Sequence, residues 1–382
     1  MLTFRDGRLR RLLVLLFALA LVAAACGDDD DGDTGGTATQ EDEGGGDDDV
    51  LKVAFVYVGP IGDAGWTKKH DDGRQALEES LGDQVETTFI ENVAEGATSE
   101  RVFEDLARQG NDLIFGTSFG YGDQMLAVAE DFPDVVFEHA TGYQVSENMG
   151  TYFGAAEEAR YLSGMAAGAA TQNGRIGYVA AFPIPEVLRG INAFTLGARS
   201  VNPDVTVQVS WTSTWFGPDI EKSAAEALLD SGVDVIAQHQ DTPAPGEAAQ
   251  AAGAKWSGYN DDMSQFAPDA WLTGPVWDWG PYYIETAQSV IDGTWESDQY
   301  YGNMADGLVL LAPFGESVAQ ETQDAITAKA QEIIAGDFQI FTGPILNQAG
   351  DTVVAEGETA TLEELLSTDY LVQGVLGDIP AS

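Results

Sequence analysis

Aromatic rings and acidic side chains recur in short segments that each follow a predicted strand. Trp66 lies in the first of these segments, Phe119 and Trp215 lie in later ones, and Glu186 and Asp241 supply carboxyl groups. Planar rings around a pocket, together with a few oriented acceptors, suit a flat ligand that is neutral or weakly cationic and donates hydrogen bonds. The pattern therefore favours binding of a small planar molecule.

Some residues of these segments also have a structural interpretation. Asp63 can accept hydrogen bonds at the start of the following helix, and Asp241 can do the same for a later one. We expect Trp66 and Trp215 to contact a ligand, because glycine and polar residues flank them on loops at strand ends. Tryptophan mostly packs in protein interiors. Packing is our expectation for Trp211, Trp256, Trp271 and Trp295.

The sequence gives little support for catalysis or metal binding. The three histidines, His70, His139 and His239, lie in separate segments without the spacing of a metal site. No phosphate-binding glycine motif occurs at the first strand–helix junction. A histidine beside a carboxylate, as in His239 and Asp241, is more often a hydrogen-bonded wall residue than a base. We expect no enzyme activity, no cofactor and no metal, the alternative being a nucleoside hydrolase that uses these two residues.

The first fifty residues are typical of an export signal followed by a tether. Four arginines precede an apolar run at 12–25 that is too short to span a bilayer comfortably, and Cys26 follows it. The segment Ala23-Ala24-Ala25-Cys26-Gly27 is similar to a bacterial lipobox, although Ala23 stands where leucine is usual. We expect 1–25 to be a signal peptide and Cys26 to carry lipid, the alternative being an ordinary secretory signal. Residues 26–49 are acidic and glycine-rich and should form a disordered tether.

The overall charge and the cysteine count exclude two kinds of interaction. The chain has 63 acidic and 17 basic side chains, a formal net charge of −46. A surface of this sign repels phosphate backbones, which argues against nucleic acid as a partner. Cys26 is the only cysteine, so no disulfide forms within the chain.

From Val50 onward, short apolar runs bounded by turn residues alternate with helical patterns. The runs are typical of buried parallel strands because β-branched and aromatic residues fill them. Alternating strands and helices at this spacing predict an α/β fold with parallel sheets and helices on both faces. We place strands near 50–58, 85–90, 112–115, 135–138, 175–180, 205–211, 233–237 and 272–276, and helices near 67–81, 99–109, 156–171, 185–200 and 219–231.

The length of the folded part predicts two lobes. About 330 residues follow the tether, more than one hydrophobic core usually serves. Two parallel sheets in series give the arrangement of type I periplasmic binding proteins, with two hinged lobes and the ligand outside the carboxyl ends of the strands. We assign 51–153 with about 277–313 to the N-lobe and 154–276 with about 314–382 to the C-lobe.

Two runs are specific enough to indicate a family: Phe115-Gly116-Thr117-Ser118-Phe119-Gly120-Tyr121 and Trp279-Gly280-Pro281-Tyr282-Tyr283. They resemble the basic membrane protein (BMP) family of substrate-binding lipoproteins of ABC transporters, and the resemblance covers essentially all of 51–345. Further matching segments are 53–66 with His70, 137–143, 185–187 with 190–194, 201–203, 214–216 and 238–239.

The resemblance implies a function and a set of site residues. It implies a lipid-anchored, extracytoplasmic binding protein of an ABC importer at the cell membrane. Nucleoside binders of the family tend to use a lysine near the sugar. Lys255 is the nearest candidate here, and its place at the start of a predicted strand argues against ribose recognition. The ligand would be a purine, either adenine or a nucleoside, and the partner a membrane permease, with the protein acting as a monomer. The residues implied as ligand-binding are Trp66, Phe119 and Trp215 for stacking, Glu186, Asn192, Asp241 and Asp262 for hydrogen bonds, and Trp277 on a neighbouring loop.

A different ligand remains open at this point. Aromatic and carboxylate walls also suit a neutral sugar or another flat heterocycle such as a flavin. The sequence alone does not separate these ligands from a purine.

Overall fold

Strands and helices alternate throughout residues 50–380, the part of the chain that the computed structural model describes. The strands are β1 (Leu51–Val56), β2 (Val85–Ile90), β3 (Leu113–Gly116), β4 (Val136–Ala140), β5 (Met149–Gly154), β6 (Arg175–Ala180), β7 (Thr206–Trp211), β8 (Val235–His239), β9 (Lys255–Ser257), β10 (Pro275–Trp277), β11 (Gln299–Gly302), β12 (Val309–Leu311), β13 (Ile345–Leu346), β14 (Thr352–Val354) and β15 (Val375–Leu376). The helices are α1 (Trp66–Leu81), α2 (Ala97–Arg108), α3 (Gly122–Asp131), α4 (Ala156–Ala170), α5 (Pro185–Val201), α6 (Pro218–Asp230), α7 (Ala244–Ala251), α8 (Gly280–Ile291), α9 (Gln320–Ile334) and α10 (Leu362–Leu366).

The first sheet has six strands in the order β11-β5-β4-β3-β1-β2, and every neighbouring pair is parallel. Its strand β1 is apolar on both faces because helices cover both. Val53 and Phe55 pack in the core that includes α1 and α8, whereas Ala54 and Val56 pack in the core that includes α2 and α3. A strand buried on both faces is formed by a continuous apolar run of residues, which is the pattern seen in the sequence.

The second sheet has five parallel strands in the order β15-β7-β6-β8-β9. Its central strand β6 is also covered on both sides. Ile176 and Tyr178 pack in a core with α4 and α5, and Val179 packs in a core with α6 and α7. The loops that carry the candidate site residues follow the carboxyl ends of strands in both sheets.

The structure confirms most predicted elements and corrects one. Strand β6 has the predicted bounds, and helix α6 differs from its prediction by one residue at each end. The apolar run at 272–276 was predicted as a parallel strand, and this was wrong. Only Pro275–Trp277 is a strand there, and it pairs antiparallel with β12 outside both main sheets. The run is apolar because it is buried, not because it pairs in a parallel sheet.

Three predictions for the amino-terminal segment fall outside the described residues: the signal peptide at 1–25, lipidation at Cys26 and the tether at 26–49. Within 50–380, no helix combines the length and the apolar character needed to cross a membrane. The proposed lobe boundaries stay a prediction.

Candidate ligand-binding cleft

Loops from both sheets line one cavity. The space between its side chains amounts to about 340 Å³. A cavity of this size suits a small ligand. The cavity is lined from the first sheet by Val58, Trp66, Ser118, Phe119 and Thr141, and from the second by Glu186, Trp215, His239, Asp241 and Tyr259.

Trp66 is positioned by the turn that begins α1. The Asp63 carboxylate accepts hydrogen bonds from the amides of Gly65 (2.8 Å), Thr67 (2.7 Å) and Lys68 (3.0 Å). These amides have no partner within the first turn of a helix, so an acceptor here stabilises the helix start. The indole Nε1 of Trp66 donates to the Thr117 carbonyl at 2.7 Å. With its N–H used in this way, Trp66 offers its ring surface to the cavity.

Aromatic side chains behind Trp66 hold it from the far side. The His70 ring meets it edge to face at 4.3 Å between centroids, and Trp279 and Trp277 do so at 5.7 Å and 6.2 Å. Trp277 and Trp279 stack on each other at 4.7 Å. Edge-to-face and stacked pairs have defined geometry, so this cluster fixes the plane of the Trp66 indole.

Trp215 approaches the cavity from the loop after β7. It packs against Phe182 at 5.0 Å between centroids in an edge-to-face arrangement, and its ring lies 6.4 Å from that of His239. Its carbonyl accepts a hydrogen bond from the Asp241 amide at 3.4 Å. Trp215 is only half-buried, so part of its ring remains free for a ligand.

Glu186 is held by two hydrogen bonds to one of its oxygens. Its Oε1 lies 3.1 Å from His239 Nε2 and accepts from the Tyr259 hydroxyl at 3.4 Å. Burial lowers the pKa of His239 to about 4, although the Glu186 contact opposes this shift. The imidazole is therefore neutral at neutral pH, and its Nε2–H donates to Glu186.

Asp241 is a buried carboxyl group in an acidic environment. The Asn260 side-chain amide donates to its Oδ1 at 3.0 Å. Burial raises the pKa of Asp241 well above its usual range, and the charges of Asp63, Glu221 and Glu186 raise it further. In its protonated form, which this environment favours, the carboxyl group can donate a hydrogen bond to a ligand as well as accept one.

The structure gives the other predicted site residues different contacts. Asn192 donates to the Tyr370 carbonyl at 2.9 Å and accepts from the Val372 amide at 2.8 Å, which joins α5 to the carboxyl-terminal segment. Asp262 accepts from the Ser264 amide at 3.0 Å within its own loop. Neither side chain lines the cavity.

Trp277 and Lys255 also lie away from the cavity lining. Trp277 donates to Asn260 Oδ1 at 3.0 Å and supports Trp66 from behind. The Lys255 ammonium donates to the Asp269 carbonyl at 2.8 Å. The role of Trp277 is thus to support a wall of the site and not to form its surface.

Tyr259 and Thr141 line the cavity although the sequence reasoning did not select them. Tyr259 stands shortly after β9, and Thr141 directly follows β4 with a backbone φ of 64°. Proximity to a strand end was the available signal, since the selected Asp262 stands further along the same loop as Tyr259. Within residues 50–380, no group of three histidine, cysteine or acidic residues is arranged to hold a metal ion.

A family comparison matches the greater part of the chain. The sequence model of a family described as Bmp, ABC transporter substrate-binding protein PnrA-like, matches residues 50–342. A purine-binding protein of Brucella abortus (strain 2308) is 48% identical over 330 residues, which is 86% of this chain and 94% of that protein. A Haloferax volcanii protein named as an ABC transporter glucose-binding protein is 47% identical over 331 residues, 87% of this chain and 82% of that protein.

A solved structure shares the fold. A solute-binding protein of an ABC transporter system from Aeropyrum pernix K1 matches with a TM-score of 0.67, covering 75% of this chain and 92% of that chain at 18% identity. The predicted α/β fold of the periplasmic-binding-protein type, with parallel sheets flanked by helices, is confirmed. Proteins of this class bind small molecules outside the cytoplasm, interact with permeases and are not enzymes. The chain belongs to the Bmp family of ABC transporter substrate-binding proteins.

Proposed function

We propose that the cleft binds a purine, either adenine or a purine nucleoside, for an ABC importer. The observation that carries this proposal is the single cavity in which Trp66 and Trp215, from loops of different sheets, meet Glu186 and Asp241. Stacking on an aromatic side chain contributes about 1 to 3 kcal/mol per base in nucleic-acid binders. The two carboxyl groups suit the N–H groups and ring nitrogens of a purine. The name of the Brucella relative supports the same ligand.

An adjoining space bears on the choice between base and nucleoside. The space between its side chains is about 1010 Å³, against about 340 Å³ for the first cavity, and the two share Phe119, Thr141 and Glu186. A sugar attached to the base has room there, so the proposal includes both forms.

A neutral sugar is the second candidate ligand. The Haloferax relative, named as a glucose-binding protein, is nearly as similar as the purine-binding one. Aromatic rings and carboxylates also form walls of sugar sites, because the ring faces pack on C–H groups and the carboxylates accept from hydroxyls. A flavin is a third flat compound that the same walls suit.

A panel of ligands separates these candidates. We expect adenine or guanosine to raise the melting temperature of the purified protein, and glucose, ribose and riboflavin to leave it unchanged, since only a bound compound stabilises the folded state. Calorimetric titration then gives the affinity. A shift with glucose alone would replace the purine assignment by a sugar assignment.

A matched pair of tryptophan variants tests whether the cavity is the binding site. Trp215→Ala removes a cavity wall, and we expect at least a tenfold weaker affinity for the purine because a stacking surface is lost. Trp211→Ala is the control, since Trp211 is also half-buried, stands at the end of β7 and bonds the Asp378 carbonyl at 3.0 Å without lining the cavity. Equal affinities of the two variants would contradict the site assignment.

We also infer that the protein is a monomer anchored to the membrane through lipid on Cys26. The apolar run before Cys26 and the small residues around it support this part of the proposal. Acyl chains contribute about 0.8 kcal/mol per buried methylene, so several of them hold a protein firmly at a membrane. Mass spectrometry of the membrane fraction should find an acylated cysteine as the first residue. A mature amino terminus at another residue would contradict the anchor.

A further inference from the structure

Three buried side chains, His239 in the cavity wall and two behind it, have polar atoms with no hydrogen-bond partner among residues 50–380. These atoms are Nε and Nη2 of Arg160, the hydroxyl of Tyr178 and Nδ1 of His239. The three residues are 1%, 0% and 3% exposed, so bulk water does not satisfy them. Groups of this kind are rarely left unpaired in proteins, because burying them without a partner costs free energy.

The unpaired atoms converge on one point beside Gly190. A methyl group added at Gly190 would lie 3.6 Å from Arg160 Nε, 3.6 Å from His239 Nδ1 and 3.9 Å from the Tyr178 hydroxyl. The three groups come from α4, β6 and β8, and Gly190 is on α5. Their common neighbour is thus a small volume enclosed by four elements.

The other contacts of Arg160 leave part of its guanidinium unpaired. Its Nη1 donates to the Gln238 carbonyl at 2.6 Å, and its Cζ lies 3.6 Å from the centre of the Tyr259 ring. Both contacts place the cation directly behind the cavity wall. The remaining donors, Nε and Nη2, need an acceptor at the point beside Gly190.

We propose that Arg160, Tyr178 and His239 together bind one water molecule beside Gly190, and that this water positions His239 to hold Glu186 for the ligand. Water accepts from the guanidinium and donates to the lone pair of His239 Nδ1, while the Tyr178 hydroxyl makes the third bond. An anion has no proton for that lone pair. Since His239 Nε2–H is directed at the Glu186 carboxylate, Nδ1 is the acceptor nitrogen and water fits it better.

The consequence for binding rests on the function proposed above. Both protein donors, His239 Nε2–H and the Tyr259 hydroxyl, bond Oε1 of Glu186. Oε2 has no protein donor among the described residues and is left for an N–H of the ligand. Arg160 and His239 are therefore positioning residues, which act on the ligand through Glu186.

Gly190→Ala tests the water site in ligand-free protein, independently of the identity of the ligand. The added methyl group fits sterically, and alanine favours a helix interior over glycine, so without a bound water the melting temperature should rise. We expect it to fall by several degrees, because the methyl group displaces the water and leaves three polar groups unpaired. A rise would overturn the proposal.

Tyr178→Phe provides the second arm of a double-mutant cycle. Removing the hydroxyl removes one partner of the water, so Gly190→Ala should cost less in this background than in the parent. Equal costs in both backgrounds would contradict a shared water.

If the alanine variant does not fold, a high-resolution crystal structure of the parent decides the matter, since it must show a water within hydrogen-bond distance of the three groups. The absence of density there, or density with the anomalous scattering of a halide ion, would overturn the proposal.

Nitrogen-15 NMR of the His239 imidazole tests the positioning role, because it reports which ring nitrogen carries the proton. A merely structural role would not require one particular tautomer. His239 is assigned by the loss of its signals in His239→Gln. We expect the tautomer protonated at Nε2 at pH 7, with Nδ1 as a hydrogen-bonded acceptor. A tautomer protonated at Nδ1, or a charged ring, would contradict the arrangement.

Discussion

Glu138 is a carboxyl group in the interior of the first sheet, where it is 2% exposed. It accepts hydrogen bonds from the Tyr282 hydroxyl and from Nε1 of Trp295, both at 2.9 Å. Burial raises the pKa of Glu138 from 4.5 to about 7, although the two hydrogen bonds oppose this shift. The folded protein therefore holds the proton more tightly than the unfolded chain does between these two pH values.

This difference gives stability a pH dependence of defined sign. The contribution of Glu138 is fully present below pH 4.5 and is lost as the pH rises through about 7. Glu138→Gln keeps a neutral group in place at every pH. We expect the loss of unfolding free energy between pH 5 and pH 8 to be about 2 kcal/mol smaller in the variant than in the parent. Urea unfolding at the two pH values measures it.

An exposed acid serves as the control for that measurement. Glu130→Gln changes the net charge equally but alters a solvent-exposed side chain of α3, so it should keep the slope of the parent. Part of the slope should remain in Glu138→Gln, because burial also raises the pKa of Glu158 to about 7. Identical slopes for Glu138→Gln and the parent would contradict the origin assigned here.

Residue type and loop position predicted the cavity wall at Trp66, Phe119 and Trp215 because a strand end fixes where the next few residues lie. The same reasoning does not extend along a helix. Glu186 and Asn192 are both in α5, six residues apart. At 3.6 residues per turn, this spacing places their side chains on different faces of the helix. Asn192 accordingly bonds the carboxyl-terminal segment, whose position no local pattern specifies.

At the scale of elements, the sequence indicates which strands are buried but not which strands pair with each other. Strand β6 was predicted with its observed bounds because helices on both faces require a continuous apolar run. Strand β15 contains two residues and joins β7 across a long stretch of sequence, so no periodicity indicates it. The run at 272–276 was misplaced for the same reason, since burial alone does not define a partner strand.

The crossing of α4 and α5 shows a similar limit. A Cβ atom at Gly164 would clash with the Phe194 carbonyl, and one at Gly197 would clash with the Tyr161 carbonyl. The absence of side chains at both positions lets the helix backbones approach each other closely. The sequence predicted both helices but not their close approach, because nothing local indicates which helix a glycine faces.

At the scale of the whole molecule, loops of the two sheets meet at the cleft. Lys68, in α1, pairs with Asp261, on the loop after β9, at 3.1 Å. Gly65 lies against the backbone of Asp241, where an added Cβ would stand 2.7 Å from the carbonyl oxygen. A ligand that contacts both loops favours the arrangement in which they touch.

Gly65→Ala should therefore weaken ligand binding by preventing this approach. Backbone atoms of Asp241 cannot move aside as a flexible side chain would, so the loops must separate. We expect at least a tenfold lower affinity for the compound identified by the ligand panel, with little change in the melting temperature of ligand-free protein. Calorimetric titration measures the affinity, and small-angle scattering measures whether the variant still contracts when ligand is added.

Gly62→Ala is the matched control, because the same loop carries it and an added Cβ there meets no atom within 4 Å. It should bind like the parent. Loss of affinity in both variants would assign the effect to loop flexibility, and full affinity in Gly65→Ala would show that the touching arrangement is not the one that holds the ligand. Only a selective loss at Gly65 agrees with a clamp whose two sides are Trp66 and Trp215, because a clamp depends on how closely its sides approach and not on either side alone.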